Sequence, residues 1–201
     1  MATRIEKTAS AVRKRPCQAR SRATTDAILD AAAHILGEYG WEGLTTNRVA
    51  EIAGVSIGSL YQYFPNKIAL IEDVRRRHLD EVLSILRSAA EVKSARAQRI
   101  AALVDGMIAV HSRYPAAHRV LLEESPRGKE TRPFHDRFEQ ECRKCYEAIF
   151  KINATHDANT DLGAQILASA LSSAVHDAAR TDMLASPMMR KELLRLLDRY
   201  L

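Results

Sequence analysis

Two glycines, two tyrosines and a phenylalanine crowd into residues 53–64, which read AGVSIGSLYQYF. Ser56 stands where a helix N-cap belongs, and Pro65 stops the helix after Phe64. An isolated helix of this length is marginal in water, so neighbouring helices must hold it. The segment therefore predicts a short helix with one side anchored in the fold and an opposite side that is available to bind another molecule.

Apolar residues recur at helical spacing on both sides of this segment. The first pattern runs from Thr25 to Gly40, and the second is about two turns long and is capped by Thr45 or Thr46. A supporting helix, a short helix, a tight turn and a second short helix form the helix-turn-helix layout, which presents its last helix to a DNA major groove. We therefore predict a three-helix DNA-binding domain over residues 24–70.

The short helix has two chemically different sides, because a helix turns by about 100° per residue. Bulky apolar side chains fall on one side: Ile57, Leu60 and Phe64. Small and amide side chains fall on the other: Gly58, Ser59 and Gln62. Small residues allow close approach to base edges, and a glutamine pairs bidentately with adenine. Tyr61 and Tyr63 flank this outer side, where their hydroxyls would donate to phosphate oxygens.

Positive charge is concentrated at the N-terminus. Residues 1–25 carry a net charge of +6 and the remainder −1, against +5 for the whole chain. Such a segment suits a polyanion. We predict a basic flexible arm over residues 1–23 that tracks the backbone or enters the minor groove of DNA. A solvated, disordered tail fits the same charge.

The stretch from Thr45 to Ile71, TTNRVAEIAGVSIGSLYQYFPNKIALI, closely resembles the DNA-binding signature of the TetR (tetracycline repressor) family, and with the residues before it covers roughly a quarter of the chain. The resemblance implies an all-α homodimer with this N-terminal helix-turn-helix domain and a C-terminal helical domain, residues 71–201, for ligand binding and dimerisation. It also implies that Thr46 and Lys67 contact phosphates. Four positions would face bases: Ile57, Gly58, Ser59 and Gln62. The angular count instead turns Ile57 toward the core.

The C-terminal part reads as further helices with no comparable motif. They are predicted at residues 94–114, 116–124, 133–152 and 160–183 and from Pro187 onward. Small residues between 164 and 174 permit close helix contact, and the resemblance implies that the last two long helices pair two subunits. Packing of both helices within one monomer is the alternative.

Dimerisation implies that the DNA partner is a double-stranded, inverted-repeat operator. The resemblance further implies a repressor that an unidentified small-molecule effector releases by preferring one spacing of the reading helices. Candidate pocket residues are Met107, His111, Phe138, Tyr146 and His176. An ordinary helical core would show the same side chains. If the pocket exists, they favour a small, partly aromatic or weakly acidic effector.

Cys142 and Cys145 lie on one helical face beside basic side chains, which lower a thiol pKa and suggest redox sensing. A catalytic pair normally follows a strand, however, and a zinc site would need His135 or His156 at an unfamiliar spacing. We expect no metal and no cofactor. Two alternatives to a metabolite-controlled regulator remain. The first is a DNA-binding dimer that is controlled by a protein partner or acts on DNA architecture. The second is a DNA-binding dimer that is controlled by cysteine oxidation.

Several classes of protein are excluded or disfavoured. The chain shows no arrangement of nucleophile and base and no glycine-rich phosphate loop, so we predict that it is not an enzyme. It has no apolar run of about 18 residues, so no membrane partner is expected. Three cysteines and the absence of a secretory signal favour a cytoplasmic location.

Overall fold

The computed structural model describes residues 19–91, 94–113, 121, 132–153 and 159–201, which form helices and no strand. This confirms the predicted all-α class. The helices are α1 (Ala19–Gly43), α2 (Thr46–Ile52), α3 (Ile57–Tyr63), α4 (Lys67–Ala89), α5 (Arg96–Ser112), α6 (Arg132–Asn153), α7 (Thr160–Arg180) and α8 (Pro187–Tyr200). Most of the predicted basic arm, residues 1–18, and the short helix predicted over 116–124, apart from Leu121, lie outside the described residues.

The chain divides into two compact units. Unit 1 lies within Met1–Arg76 and Ala116–Arg132, and unit 2 lies within Arg77–Pro115 and Pro133–Leu201. α4 therefore contributes its first part to unit 1 and its remainder to unit 2. Of the described helices, none is both long and apolar enough to cross a bilayer.

α1 begins earlier than the pattern from Thr25 indicates. The hydroxyls of Thr24 and Thr25 donate to the carbonyls of Arg20 and Ser21, one turn back, within a helix that starts at Ala19. Its regular dihedrals end at Gly40, which has φ 65° and ψ −169°. That conformation is readily adopted only by glycine. Gly40 thus ends the straight part of α1, as predicted, but by a kink into one more turn rather than by a left-handed cap.

Side-chain caps fix the starts of α2 and α3. The Arg48 N–H donates to Thr45 Oγ1 at 3.3 Å, so Thr45 is the cap of α2, and the Ser59 N–H donates to Ser56 Oγ at 3.1 Å. Gly54, with φ 67°, supplies the tight turn between the two helices. The core of unit 1 is formed by fully buried apolar side chains: Ile28, Ile35, Leu36, Leu44, Val49, Leu60, Phe64 and Leu70.

Ile52 is apolar and lies three residues after buried Val49, yet its side chain is 47% exposed. The buried residues of α2 are Val49 and Ala50. The middle of that inner side lies between them, and Ile52 is about 110° away from it at 100° per residue. A two-turn helix buries only a narrow stripe, and Ile52 falls outside it.

Unit 2 packs α5 to α8 and the second part of α4 around an aliphatic core. Its most deeply buried residues include Leu86, Leu103, Val104, Ile149, Leu167, Leu171, Val175 and Leu197. Two ion pairs tie α5 to α8 at the surface. Arg190 binds both carboxylate oxygens of Asp105 at 2.6 and 2.8 Å, and Arg96 donates to Asp198 Oδ1 at 2.7 Å.

Candidate functional site

α3 presents an open outer side. Gly58 and Gln62 are exposed, and Ser59 beside them is half-buried. Leu60 and Phe64 on the opposite side are fully buried. The structure therefore shows the two-sided helix that the sequence predicts, with its apolar side chains holding it against unit 1.

Tyr63 does not flank that outer side, so its predicted position is wrong, and the phosphate contact predicted for its hydroxyl remains untested. The side chain is buried, and its hydroxyl is 2.9 Å from Ser21 Oγ on α1. At 100° per residue Tyr63 is about 60° from Leu60, which is on the inner side. The early start of α1 brings Ser21 to meet it. A buried tyrosine with a bonded hydroxyl is a packing residue.

Ile57 and Tyr61 are the bulky side chains that remain open on α3. Ile57 is 38% exposed because it belongs to the first turn of the helix. The helical angles predicted that its side chain faces the core, and that prediction is wrong. Tyr61 is 41% exposed, and its hydroxyl lies 3.1 Å from Thr46 Oγ1 at the start of α2. Two of the three hydroxyls predicted to contact phosphate, those of Thr46 and Tyr61, thus lie together.

Two cations beside α3 contact the end of α1. The Lys67 ammonium donates to the Trp41 carbonyl at 2.6 Å and lies 3.8 Å from the centroid of the Trp41 ring. Arg48, which the sequence analysis did not single out, donates to the Gly43 carbonyl at 2.9 Å. Its guanidinium carbon lies 4.6 Å from the Tyr39 ring centroid. Partial burial lowers the pKa of Lys67, and nearby Glu42 opposes that shift. The predicted contact of Lys67 with phosphate remains untested.

Three histidines from three helices cluster in unit 2. The ring of His111 on α5 lies 5.1 Å from that of His78 on α4 and 5.4 Å from that of His176 on α7. Sequence reasoning missed His78, because it occupies an apolar stripe of α4. The Nδ1 of His111 lies 2.7 Å from the Met107 carbonyl, so it carries the hydrogen and donates, leaving Nε2 as an acceptor in the neutral ring.

The histidine cluster continues into a polar seam. We use this name for five side chains that cross the unit 2 core: His78, His111, His176, Ser172 and Tyr146. Ser172 and His176 lie one turn apart on α7, and Ser172 bonds Tyr146 on α6. Burial lowers the pKa of His78 to about 3 and that of His111 to about 4, and it raises the pKa of Tyr146 to about 12. These three groups are therefore uncharged near neutral pH.

The other pocket candidates border the same core. Met107 is buried beneath His111, and Phe138 on α6 is partly buried against the unit 2 core. All five predicted pocket residues thus belong to one unit.

The cysteine pair does not fit a reactive site. Cys145 is buried and Cys142 partly so. Burial raises the pKa of Cys142 to about 12 and also raises that of Cys145, outweighing the cation of Arg87. The expected lowering of a thiol pKa by basic neighbours is therefore wrong. Within the part of the chain that the structure describes, no group of three or more metal-ligating side chains is placed to hold an ion.

An apolar stripe lies open on unit 2. Leu162 and Ile166, one turn apart on α7, are 55% and 46% exposed. Met183, Met188 and Leu196, in and before α8, are also exposed. Ser169 and Ser173 continue the stripe along α7 with small side chains that permit close approach of another helix.

Family models match both parts of the chain. The model described as "Bacterial regulatory proteins, tetR family" matches residues 28–74, and the model described as "Tetracyclin repressor-like, C-terminal domain" matches residues 97–201, slightly more than half of the chain. The two matches fall on the helix-turn-helix region and on α5 to α8, which carry the open stripe and the polar seam apart from His78.

Individual proteins that resemble the chain are also named as regulators. The HTH-type transcriptional activator FasR of Mycolicibacterium smegmatis is 29% identical over 96 residues, 48% of this chain and 44% of that protein. The HTH-type transcriptional regulator RutR of Escherichia coli K12 is 36% identical over 108 residues, 52% of this chain and 50% of that protein. The chain thus spans about half the length of these curated relatives or less. The fatty acid degradation regulator FadR from Bacillus halodurans shares the fold, with a TM-score of 0.71, 18% identity, and coverage of 92% of this chain and 96% of that one.

Proposed function

The chain belongs to the TetR family of bacterial regulatory proteins, and from that premise we propose that it is a dimeric transcriptional regulator, released from an inverted-repeat operator by a small-molecule effector. Membership of a family of regulators places it outside the enzymes. The resemblance favours repression, whereas FasR, at 29% identity, is an activator.

The observation that carries the DNA-binding proposal is the open outer side of α3. Gly58 and Gln62 are exposed while Leu60 and Phe64 anchor the helix from behind. A helix held in this way enters a major groove without exposing its apolar side. We assign base contacts to Ile57, Gly58, Ser59 and Gln62 and phosphate contacts to the hydroxyls of Thr46 and Tyr61.

Gln62→Ala should relax the base preference at one position in each half-site. The lost bidentate contact is worth about 1 to 3 kcal/mol of discrimination. The measurement is selection of duplexes from a random pool by the purified variant, compared with the wild type. Tyr61→Phe is the matched control, because it removes a phosphate contact and should weaken binding to all sequences alike. An unchanged preference for Gln62→Ala removes this residue from base readout.

The open stripe on α7 and α8 supports the homodimer. Large exposed apolar side chains concentrate on these two helices in unit 2, and serines on the same side of α7 allow close helix approach. Pairing α7 and α8 with their symmetry copies would bury this surface in a four-helix interface. Two α3 helices would then meet two half-sites.

Ile166→Asp should produce a monomer at concentrations where the wild type is a dimer. A twofold interface would receive the carboxylate twice, and burying each without a partner costs several kcal/mol, so the dissociation constant should rise by at least about 100-fold. Sedimentation equilibrium measures it. Gln98→Asp, on the exposed side of α5, adds the same charge elsewhere and should leave the association unchanged. If the Ile166→Asp protein is fully dimeric, the dimer interface must lie on another surface.

The polar seam supports an effector site in unit 2. Burying hydrogen-bonding side chains in an aliphatic core costs free energy unless they have partners, and a row of such side chains gives a bound molecule polar groups to contact. Because His78, His111 and Tyr146 are uncharged near neutral pH, we propose an apolar effector with an uncharged hydrogen-bonding group, in place of the weakly acidic one that the sequence suggests. A buried ion would meet no compensating charge from those groups.

Thermal unfolding distinguishes control by a small-molecule effector from control by a protein partner. A long-chain alcohol that binds the folded chain raises its melting temperature by mass action, and the amine of equal chain length should do so less. If no apolar compound raises the melting temperature, control by a protein partner becomes the better account.

A further inference from the structure

Ser56 and Ser59 form a pair of hydroxyls at the first turn of α3. Ser56 is the N-cap residue, and its Oγ accepts the backbone N–H of Ser59 at 3.1 Å. The two Oγ atoms lie 2.8 Å apart, which is the usual length of a hydrogen bond between hydroxyls. Ser56 is exposed, and Ser59 lies beside exposed Gly58 and Gln62. The pair therefore adjoins the side of α3 to which base contacts are assigned.

A single hydrogen occupies the bond between the two hydroxyls, so the pair has two arrangements. Either oxygen can be the donor. If Ser56 donates, Ser59 keeps its own hydrogen and can donate outward. If Ser59 donates, its oxygen can only accept from outside. The bond from the Ser59 N–H to Ser56 Oγ persists in both arrangements, because a hydroxyl oxygen has two lone pairs.

Base edges in the major groove require opposite partners. Guanine O6 and thymine O4 are keto oxygens that accept a hydrogen bond, whereas adenine N6 and cytosine N4 are amino groups that donate one. Ser59 as a donor therefore matches a keto base, and Ser59 as an acceptor matches an amino base. A side chain with only one of these capacities would distinguish the two classes.

The identity of the cap decides whether Ser59 keeps both capacities. A capping box has glutamate or glutamine at the third helical position, where α3 has Ser59. This short side chain bonds the cap's own hydroxyl instead. Aspartate caps a helix as well as serine does, but it carries acceptors only, so it would hold the Ser59 hydrogen permanently.

We propose that Ser56 is a positioning residue that sets the base preference of Ser59. Its hydroxyl holds the Ser59 Oγ in place and leaves the direction of the shared hydrogen bond reversible. One base in each half-site is consequently read permissively, whether it presents an amino or a keto group. This inference rests on the proposed DNA-binding function and deepens it, because it assigns specificity to the N-cap of α3.

Selection of duplexes from a random pool tests the proposal. Ser56→Asp should enrich adenine or cytosine, by roughly ten-fold over guanine and thymine, at one position of each half-site where the wild type accepts all four bases. Ser56→Asn presents the same kind of oxygen to Ser59 without the charge, so it should shift the preference in the same direction. Duplexes that differ only at that position then give the affinity ratio directly.

Two variants serve as matched controls. Ser56→Thr keeps a hydroxyl at the cap, and Ser56→Gly keeps a residue that helices accept there while leaving the Ser59 hydroxyl free to turn. Both should select the same bases as the wild type. Thermal unfolding followed by circular dichroism checks the fold, and the aspartate and asparagine variants should melt close to the wild type.

Ser56→Asp and Ser56→Asn proteins that select the same bases as the wild type would show that Ser56 is only a helix cap, and would overturn the proposal. A wild type that already discriminates amino from keto bases at the shifted position would overturn it as well. A wild-type chain that ignores duplex DNA at low salt contradicts instead the proposed function itself.

Discussion

Phe64→Ala should lower the free energy of unfolding by about 3 to 5 kcal/mol and abolish DNA binding near physiological temperature. Phe64 is completely buried, and its side chain and that of Leu60 are the apolar anchors of α3. Removing the ring leaves a cavity that a seven-residue helix cannot close without moving. Because a domain is stable by only about 5 to 15 kcal/mol, the loss is a large part of the total.

Urea denaturation followed by circular dichroism measures the cost. Phe64→Leu keeps most of the volume and should cost less than about 1.5 kcal/mol. Tyr61→Ala is the neighbouring control, since its side chain is 41% exposed and its loss should change stability by no more than about 0.5 kcal/mol. If Phe64→Ala is as mild as Tyr61→Ala, α3 is held by something other than its apolar side.

Arg75→Met should cost a similar amount, about 3 to 5 kcal/mol. Arg75 is among the most deeply buried large side chains of the described residues. It pairs with Glu72 one turn earlier, and its Nε donates to the Leu121 carbonyl at 3.0 Å. The variant deprives a buried carboxylate of its cation and a buried carbonyl of its donor, which is costlier than the pair's net contribution.

Its neighbour supplies the control. Arg76 is half-exposed and lies 3.9 Å from Asp73, so Arg76→Met should change stability by no more than about 1 kcal/mol. Glu72→Leu combined with Arg75→Met should regain part of the loss, because both charges of this pair are then removed together. Equal and small effects at both arginines would contradict the assignment of a stabilising buried pair.

Local signals made much of the fold predictable. The predicted cap at Ser56 marks the start of α3, and the structure shows its side chain accepting from the Ser59 N–H. Asn66 accepts from the Ala69 N–H in the same way at the start of α4. α5, α6 and α7 each begin and end within three residues of their predicted bounds. Pro187 opens α8 as expected, although Ser186 makes no side-chain cap bond. Such signals act over one or two turns, which is the range that sequence patterns report.

Contacts between distant residues account for what the sequence analysis got wrong. Tyr63 turned out to be buried because Ser21, 42 residues away, lies beside it on a helix that starts earlier than predicted. His78 was overlooked because its partners His111 and His176 come from two other helices. The hydrogen bond from Lys67 to the Trp41 carbonyl joins residues 26 positions apart, so no local sequence pattern predicts it. Helical periodicity places a side chain on a face but does not identify what that face meets.

The direct test of the account is the affinity of Gly58→Leu for the duplex that the wild type selects. A Cβ at Gly58 meets only Ser56 Oγ, at 3.9 Å, and leucine favours a helix more than glycine does, so the variant should melt no lower than the wild type. If the outer side of α3 lies in a DNA groove, the added side chain blocks the approach, and affinity should fall by at least about 100-fold, the value of two to three lost kcal/mol. A folded Gly58→Leu protein that binds the selected duplex as tightly as the wild type would contradict the account.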